Sequence, residues 1–228
     1  MSSSASPDIV TNGLVLCLDA ADKKSYPGSG ATWFDRSGNG NNGTLINGST
    51  FSGANGGNIV FDGTNDYVDT SSIITSNSFF TISSWVYLIS GAGNFPMIAC
   101  PKVYVGGGIG SFFGINVGNN GANGFNLYLG PAIQTNNNNN APLINTWYNA
   151  VAVYDGAAKI YVNSVLLSQS SAGSSAGFPD GPWIGNGSVA GNSFWKGNIA
   201  QTSIYNRALS PQEIKQNFNA TKSRFGLL

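Results

Sequence analysis

The residues best equipped for chemistry stand close together: Asp62, Asn65, Asp66 and Asp69, all within the segment FDGTNDYVD. Hard oxygen ligands on a short glycine-containing loop suit Ca2+, which takes roughly six to eight of them. Asp62 and Asp66 are therefore the candidate metal ligands. The same residues have a plainer use, because Asp and Asn side chains fold back onto backbone N–H groups and build turns. Their spacing is not that of an EF-hand. Catalysis is poorly provided for. The chain has no His and a single Glu, Glu213, which removes imidazole triads, His-bearing zinc sites and a paired-glutamate glycosidase centre. Glu213 closes the tetrad Ser210-Pro211-Gln212-Glu213, the pattern of a helix capping box. A glycosidase would have to draw both acid and base from Asp; Asp62 and Asp66 stand near each other in the sequence, but turn residues are poor hosts for an acid of raised pKa. The reading is of no enzyme and no catalytic residue.

Five tryptophans are candidate sugar platforms, since flat rings bury the C–H faces of sugars. Trp85 and Trp147 fall in alternating segments and are expected in the core. Trp33, Trp183 and Trp195 stand beside glycine-rich turns, where they either pack loops or face solvent. Residues 106–110, GGGIG, lack the following helix and the Lys-Ser or Lys-Thr of a phosphate loop, and read as a hairpin tip. Cys17 and Cys100 sit in apolar, strand-like settings and are expected to be buried thiols. A disulfide between them stays open.

Ten Lys and Arg balance ten Asp and Glu, and charged residues make up 9% of the chain. Such a surface offers no basic face for nucleic acid. No run of 18 apolar residues exists to cross a membrane. The N-terminus has neither the basic nor the apolar region of a secretory signal. A hydrophobic content of 41%, with 12% aromatics, argues for a folded chain.

The elements that must position these residues are short and mostly extended. Residues 79–88 alternate, with Phe80, Ile82, Val86 and Leu88 on one face and Thr81, Ser83, Trp85 and Tyr87 on the other. Residues 147–154 alternate likewise, and Asp155-Gly156 and Asn163-Ser164 mark hairpin turns. Residues 14–18, 58–61, 67–68, 98–105, 112–117, 125–129, 159–162, 165–167, 183–184 and 199–205 are further strands. The asparagine run at 136–140 is a polar loop. One helix is expected, over about 211–218, capped at Ser210. Strands at such spacing form an all-β, two-sheet antiparallel sandwich with one short C-terminal helix. We divide the chain into an N-terminal arm, 1–11, and a domain, 12–228. The Ser-rich N-terminus is expected to lie against a neighbour in an assembly.

The segments 61–69 (FDGTNDYVD), 80–86 (FTISSWV), 147–156 (WYNAVAVYDG), 160–163 (IYVN), 196–199 (KGNI) and 204–214 (IYNRALSPQEI) resemble, in order, laminin G-like domains of the concanavalin A-like jelly rolls. The resemblance implies a jelly-roll sandwich and, in some relatives, Ca2+ near the turn at 62–66. Two departures matter. Ala200-Gln201 replaces the acidic pair that often follows the closing Gly-x-Ile, and no Glu-x-Asp-x-Glu strand of the jelly-roll glucanases is present. The opening, residues 12–43, resembles a variant common in structural proteins of tailed phages and shared by bacterial surface proteins. The expected function is a non-catalytic structural or adhesive module on the surface of a phage virion, as a capsid decoration or a head or tail fibre component. It would contact other virion proteins or copies of itself as a homo-oligomer, and host glycans through its loops. The alternative is a free bacterial carbohydrate-binding lectin domain, Ca2+-dependent in its strongest form.

Overall fold

A computed structural model describes residues 8–71, 73, 78–89, 96–101, 111–116, 124–129, 134–136, 144–173, 181–186 and 194–227. The glycine loop at 106–110, residues 137–140 of the asparagine run and residues 1–7 of the expected arm lie outside them. In chain order the strands are β1 (Leu14–Asp19), β2 (Thr32–Trp33), β3 (Gly43–Ile46), β4 (Thr50–Ser52), β5 (Asn58–Asp62), β6 (Tyr67–Asp69), β7 (Phe80–Leu88) and β8 (Met97–Pro101). They continue with β9 (Ser111–Asn116), β10 (Gly124–Leu129), β11 (Gln134–Asn136), β12 (Trp147–Tyr154), β13 (Ala157–Val162), β14 (Val165–Ala172), β15 (Pro182–Ile184) and β16 (Lys196–Tyr205). Helix α1 (Pro211–Thr221) follows, and a 3-10 turn, Lys222–Phe225, ends the fold.

Two antiparallel sheets result. The first runs β14-β13-β12-β7-β16-β5-β4, with β1 also pairing β16; the second runs β11-β10-β9-β8-β15-β6-β3-β2. The long strand β16 pairs β7 on one side, and on the other its start pairs β5 and its end pairs β1. Gly197 marks the entry: its φ is +141°, and a Cβ there would collide with the carbonyl oxygen of Tyr87 across the ladder. This is the expected all-β jelly-roll sandwich.

The alternation read from β7 and β12 is realised. Phe80, Ile82, Val86 and Leu88 enter the core between the sheets, with Ala150, Ala152 and Tyr154 beside them. Phe61, Phe113, Phe125 and Leu127 fill the same layer, each at most 2% exposed. Each such side chain contributes about 1.5–3 kcal/mol by leaving water. The opposite residues of β7 and β12 meet the helical end of the chain, where Trp85 stacks on Phe225 with ring centroids 4.0 Å apart.

The capping box is present. Ser210 Oγ accepts from the Glu213 N–H at 3.3 Å, and the Glu213 carboxylate accepts from the Ser210 N–H at 2.9 Å. The helix runs one turn past the expected 218, to Thr221, whose Oγ1 accepts from Trp85 Nε1 at 2.8 Å. Residues 8–10 of the expected arm lie along this helix: Val10 donates to Asn217, and Tyr205 donates to the Val10 carbonyl. Cys17 and Cys100 are both buried thiols that form no disulfide, in opposite sheets.

Candidate functional site

The segment that reads as one strand interrupted by a turn, 58–68, is a corner. β5 belongs to the first sheet and β6 to the second, and residues 63–66 carry the chain across. Gly63 has φ +80°, and a Cβ on it would stand 2.6 Å from Lys196 Cβ, so no other residue turns here without displacing β16. Asp62 is exposed, and its Oδ1 accepts from the Thr64 N–H at 2.7 Å. Asp66 is 4% exposed, and its Oδ2 accepts from the Asp62 N–H at 3.1 Å. Asn65 gives its carbonyl to Asn47 Nδ2 at 2.9 Å, tying the corner to the loop after β3.

The candidate metal ligands thus have a structural duty, and one oxygen to spare. Asp66 Oδ1 is buried and accepts no hydrogen bond. Burial pushes the Asp66 carboxyl above its ordinary range, and the charge of Asp62 adds to this, against the Asp62 N–H. Among the described residues no three His, Cys, Asp or Glu side chains converge to hold a metal ion. A Ca2+ at Asp62 and Asp66 would fit the orphaned oxygen and would need backbone carbonyls and water for the rest of its shell.

β6 then lays its outward side chains on the outer face of the second sheet. Val68 points into the core, so Tyr67 and Asp69 point out. On β15 the same parity buries Ile184 and turns Trp183 outward. Register places Thr44 opposite Asp69, Asp69 opposite Trp183 and Trp183 opposite Cys100 in one row. The Tyr67 and Trp183 rings lie 5.0 Å apart, tilted by 53°. The Thr70 hydroxyl donates to the Pro182 carbonyl at 2.5 Å and pins the two strands together.

The five tryptophans separate by environment. Trp33 and Trp195 are fully buried, so packing rather than exposure explains their glycine-rich flanks. Trp85 is 2% exposed, as its alternating strand implies. Trp147 is half-buried beside Phe225, and its Nε1 donates to Asn55 Oδ1 at 3.2 Å. Trp183 is half-buried with Tyr67 as its ring partner. Sequence reasoning grouped Trp183 with Trp33 and Trp195, and missed Tyr67. The signal was the period of two in Tyr67-Val68-Asp69, which sets Tyr67 and Asp69 on one face.

Two other reactive groups are spoken for. Arg207 forks onto Glu213 at 2.9 and 2.6 Å, and this pairing holds the carboxyl down at about 2. Burial raises the Cys17 thiol to about 11, which keeps it protonated and unreactive at neutral pH.

A family model of the concanavalin A-like lectin/glucanase superfamily, Laminin_G_3, matches residues 62–215. No curated protein sequence matches the chain significantly. Among solved structures, domain 4 of an extracellular arabinanase from Geobacillus stearothermophilus, in complex with arabinotriose, superposes with TM-score 0.68 at 17% identity, covering 90% of this chain and 97% of that one. Trypanosoma rangeli sialidase, as its 2,3-difluorosialic acid complex, gives TM-score 0.68 at 14% identity over 97% of this chain and 37% of the sialidase. The binding domain of a paraclostridial mosquitocidal protein gives 0.63 at 16% identity, covering 92% of this chain and 52% of that one. The chain thus spans about a third of the sialidase.

These likenesses establish the lectin-like sandwich and correct one expectation. The shortage of His and Glu led to a reading of no enzyme, yet the same fold stands within a sialidase chain and as a domain of an arabinanase. Side-chain supply within one β-sandwich does not decide whether a protein built with that sandwich cleaves glycosides, because catalytic groups can lie in another part of the polypeptide.

Proposed function

The chain belongs to the concanavalin A-like lectin/glucanase superfamily, and on that footing we propose that it is a glycan-binding module. The observation that carries the reading is the Tyr67–Trp183 ring pair on the outer face of the second sheet, flanked by Asp69 and Thr44. The half-buried rings supply an apolar surface for a sugar's C–H face. The carboxylate and the hydroxyl supply hydrogen bonds that orient it. The complex of the arabinanase domain with arabinotriose supports the reading. The test is an array carrying arabinan oligosaccharides and sialylated glycans, followed by titration of the best hit. Trp183→Ala should weaken that hit at least about tenfold, which is 1.4 kcal/mol. Unchanged affinity in a folded variant removes the platform from the argument.

A Ca2+ at Asp62 and Asp66 is part of the proposal, resting on the orphaned Asp66 Oδ1. Chelator should then weaken glycan binding or lower the thermal midpoint, and added Ca2+ should restore it. A second reading places the module on the surface of a phage particle, alongside other virion proteins or copies of itself. The charge-poor composition, 9% charged with zero net charge, supports it, as does the resemblance of residues 12–43 to tailed-phage structural proteins. Sedimentation of the purified chain as a stable oligomer, with no glycan bound on the array, would favour that reading.

A further inference from the structure

The outer face of the first sheet carries a second pair of rings. Phe80, Ile82, Val86 and Leu88 of β7 enter the core, so Trp85 and Tyr87 face outward. The helical end of the chain covers this face at Trp85, on which Phe218 and Phe225 stack at 5.7 and 4.0 Å. The next outward row is left half-open. There the register sets Thr50 beside Val60, Val60 beside Asn198, Asn198 beside Tyr87 and Tyr87 beside Trp147. Thr50 is exposed and the other four are half-buried. The row crosses β4, β5, β16, β7 and β12, which are neighbours in that order. At about 4.8 Å per strand it is about 19 Å long, the reach of a short run of sugar rings.

Its chemistry fits a saccharide. The Tyr87 and Trp147 rings, 5.4 Å apart and tilted by 47°, repeat the Tyr67–Trp183 pair of the other sheet, at 5.0 Å and 53°. Such rings bury the C–H faces of sugars. In line with them, the Asn198 amide and the Thr50 hydroxyl supply donors and acceptors for sugar hydroxyls. No position of the row is charged, and the outward pair on its open side, Asp62 across from Lys196, is of opposite sign. The complement is a neutral ligand. The indole is also held in advance. Trp147 Nε1 donates to Asn55 Oδ1 at 3.2 Å. Asn55 in turn donates from Nδ2 to the Arg224 carbonyl at 3.0 Å, and its own carbonyl accepts from Arg224 Nε at 3.3 Å. Phe225, 4.7 Å from the Trp147 ring, completes that bank. A side chain fixed before the ligand arrives loses little entropy on binding.

We propose that this row is a second saccharide site, whose ligand is a neutral, linear oligosaccharide lying across the strands from Trp147 toward Thr50. Sugar rings stack on Trp147 and Tyr87, and hydroxyls further along meet Asn198 and Thr50. The proposal builds on the glycan-binding reading but uses none of the residues of the Trp183 platform. With that platform, one chain holds two glycans on opposite sheets and can bridge them.

The experiment is an NMR titration of the 15N-labelled full chain with cellotetraose, xylotetraose and glucose. The indole N–H signals of Trp147 and Trp183 report the two sites separately. At least one tetrasaccharide should saturably shift the Trp147 indole and the amides of Tyr87 and Asn198. Glucose, too short to follow the row, should bind about tenfold more weakly or worse. Added NaCl should leave the affinity unchanged, since no charge is involved. Trp147→Ala should cost the shifts at Tyr87 and Asn198 about tenfold in affinity. Because Trp147 also packs on Phe225, Asn198→Ala, which removes no ring, gives an independent arm and should cost about threefold. Trp183→Ala should leave the Trp147 titration as it was. Shifts at Trp147 with Trp183 silent would uphold this site whatever the fate of the first platform. Shifts confined to Trp183, or none at either indole, would overturn it, as would glucose binding as tightly as the tetrasaccharides or an affinity that falls steeply with salt.

Discussion

Two loops of this chain use the same kinds of residue and end in different states. Residues 35–42 read DRSGNGNN, and residues 62–69 read DGTNDYVD. In the first, Asp35 accepts from the N–H groups of Cys17, Ser37 and Asn41 at 2.8, 2.8 and 3.0 Å, and from Ser37 Oγ at 2.6 Å. Asn39 and Asn41 donate to the carbonyls of Leu14 and Val15 at 3.1 and 2.7 Å. β1 pairs β16 on one side, and this loop supplies side-chain partners along it, which blunts an edge strand. In the second loop, Asp62 and Asp66 each take a single backbone N–H, and the other oxygen of Asp66 is buried with no donor. A polar, glycine-rich composition says that both will turn. What separates scaffold from candidate site is whether the buried valences are filled.

The comparison breaks most visibly at Asp35. Asp35→Ala leaves the N–H of buried Cys17 without its acceptor and removes three further bonds, and a lost charged partner costs about 1.5–3 kcal/mol. Urea unfolding should show a loss of about 3 kcal/mol with the slope unchanged. Asp62→Ala removes one exposed turn bond, that of Thr64, and should cost about 0.5–1.5 kcal/mol in the same measurement. If the two variants prove equal, the contrast between a scaffold loop and a spare-valence loop is wrong.

How much of this was legible depends on the range of the cause. β7 and β12 were readable because their alternation is local, and the capping box because Ser210 and Glu213 stand three residues apart. The membership of β5 and β6 in different sheets was not. Asn58-Ile-Val-Phe and Tyr67-Val-Asp read as one strand interrupted by a turn until β16 and β15 claim them. Trp33 and Trp195 take the packing side of the choice that the sequence left open, since glycine-rich flanks report the local backbone and not what packs on the ring. The strands β2, β3, β4 and β11 went unread: each is two to four residues long, and none carries an aromatic-aliphatic pair such as the Tyr67-Val68 or Trp183-Ile184 that marked the equally short β6 and β15. The candidate platform was half legible. Trp183 was in view, but its partner Tyr67 is supplied by the β6–β15 register, which no local pattern encodes.

The smallest expected effect isolates the spare oxygen itself. Asp66→Asn keeps an acceptor for the Asp62 N–H and removes the charge. In the native chain the Asp66 carboxyl is raised above 3.8 by burial, so the folded state binds its proton more tightly than the unfolded state does. This group's contribution to stability is therefore greatest below pH 3.8 and falls as pH rises through the raised value. The Asn variant lacks that fall. Its urea midpoint at pH 7 should stay closer to the parent's than that of Asp62→Ala, and the difference between the two curves should appear as the pH climbs out of the acid range. Ca2+ at the same oxygen would compete with the proton, so adding it should flatten the parent's profile and leave the Asn variant's alone. A profile shared by parent and variant, with and without Ca2+, would mean that Asp66 Oδ1 is satisfied in solution and that both loops are scaffold alike.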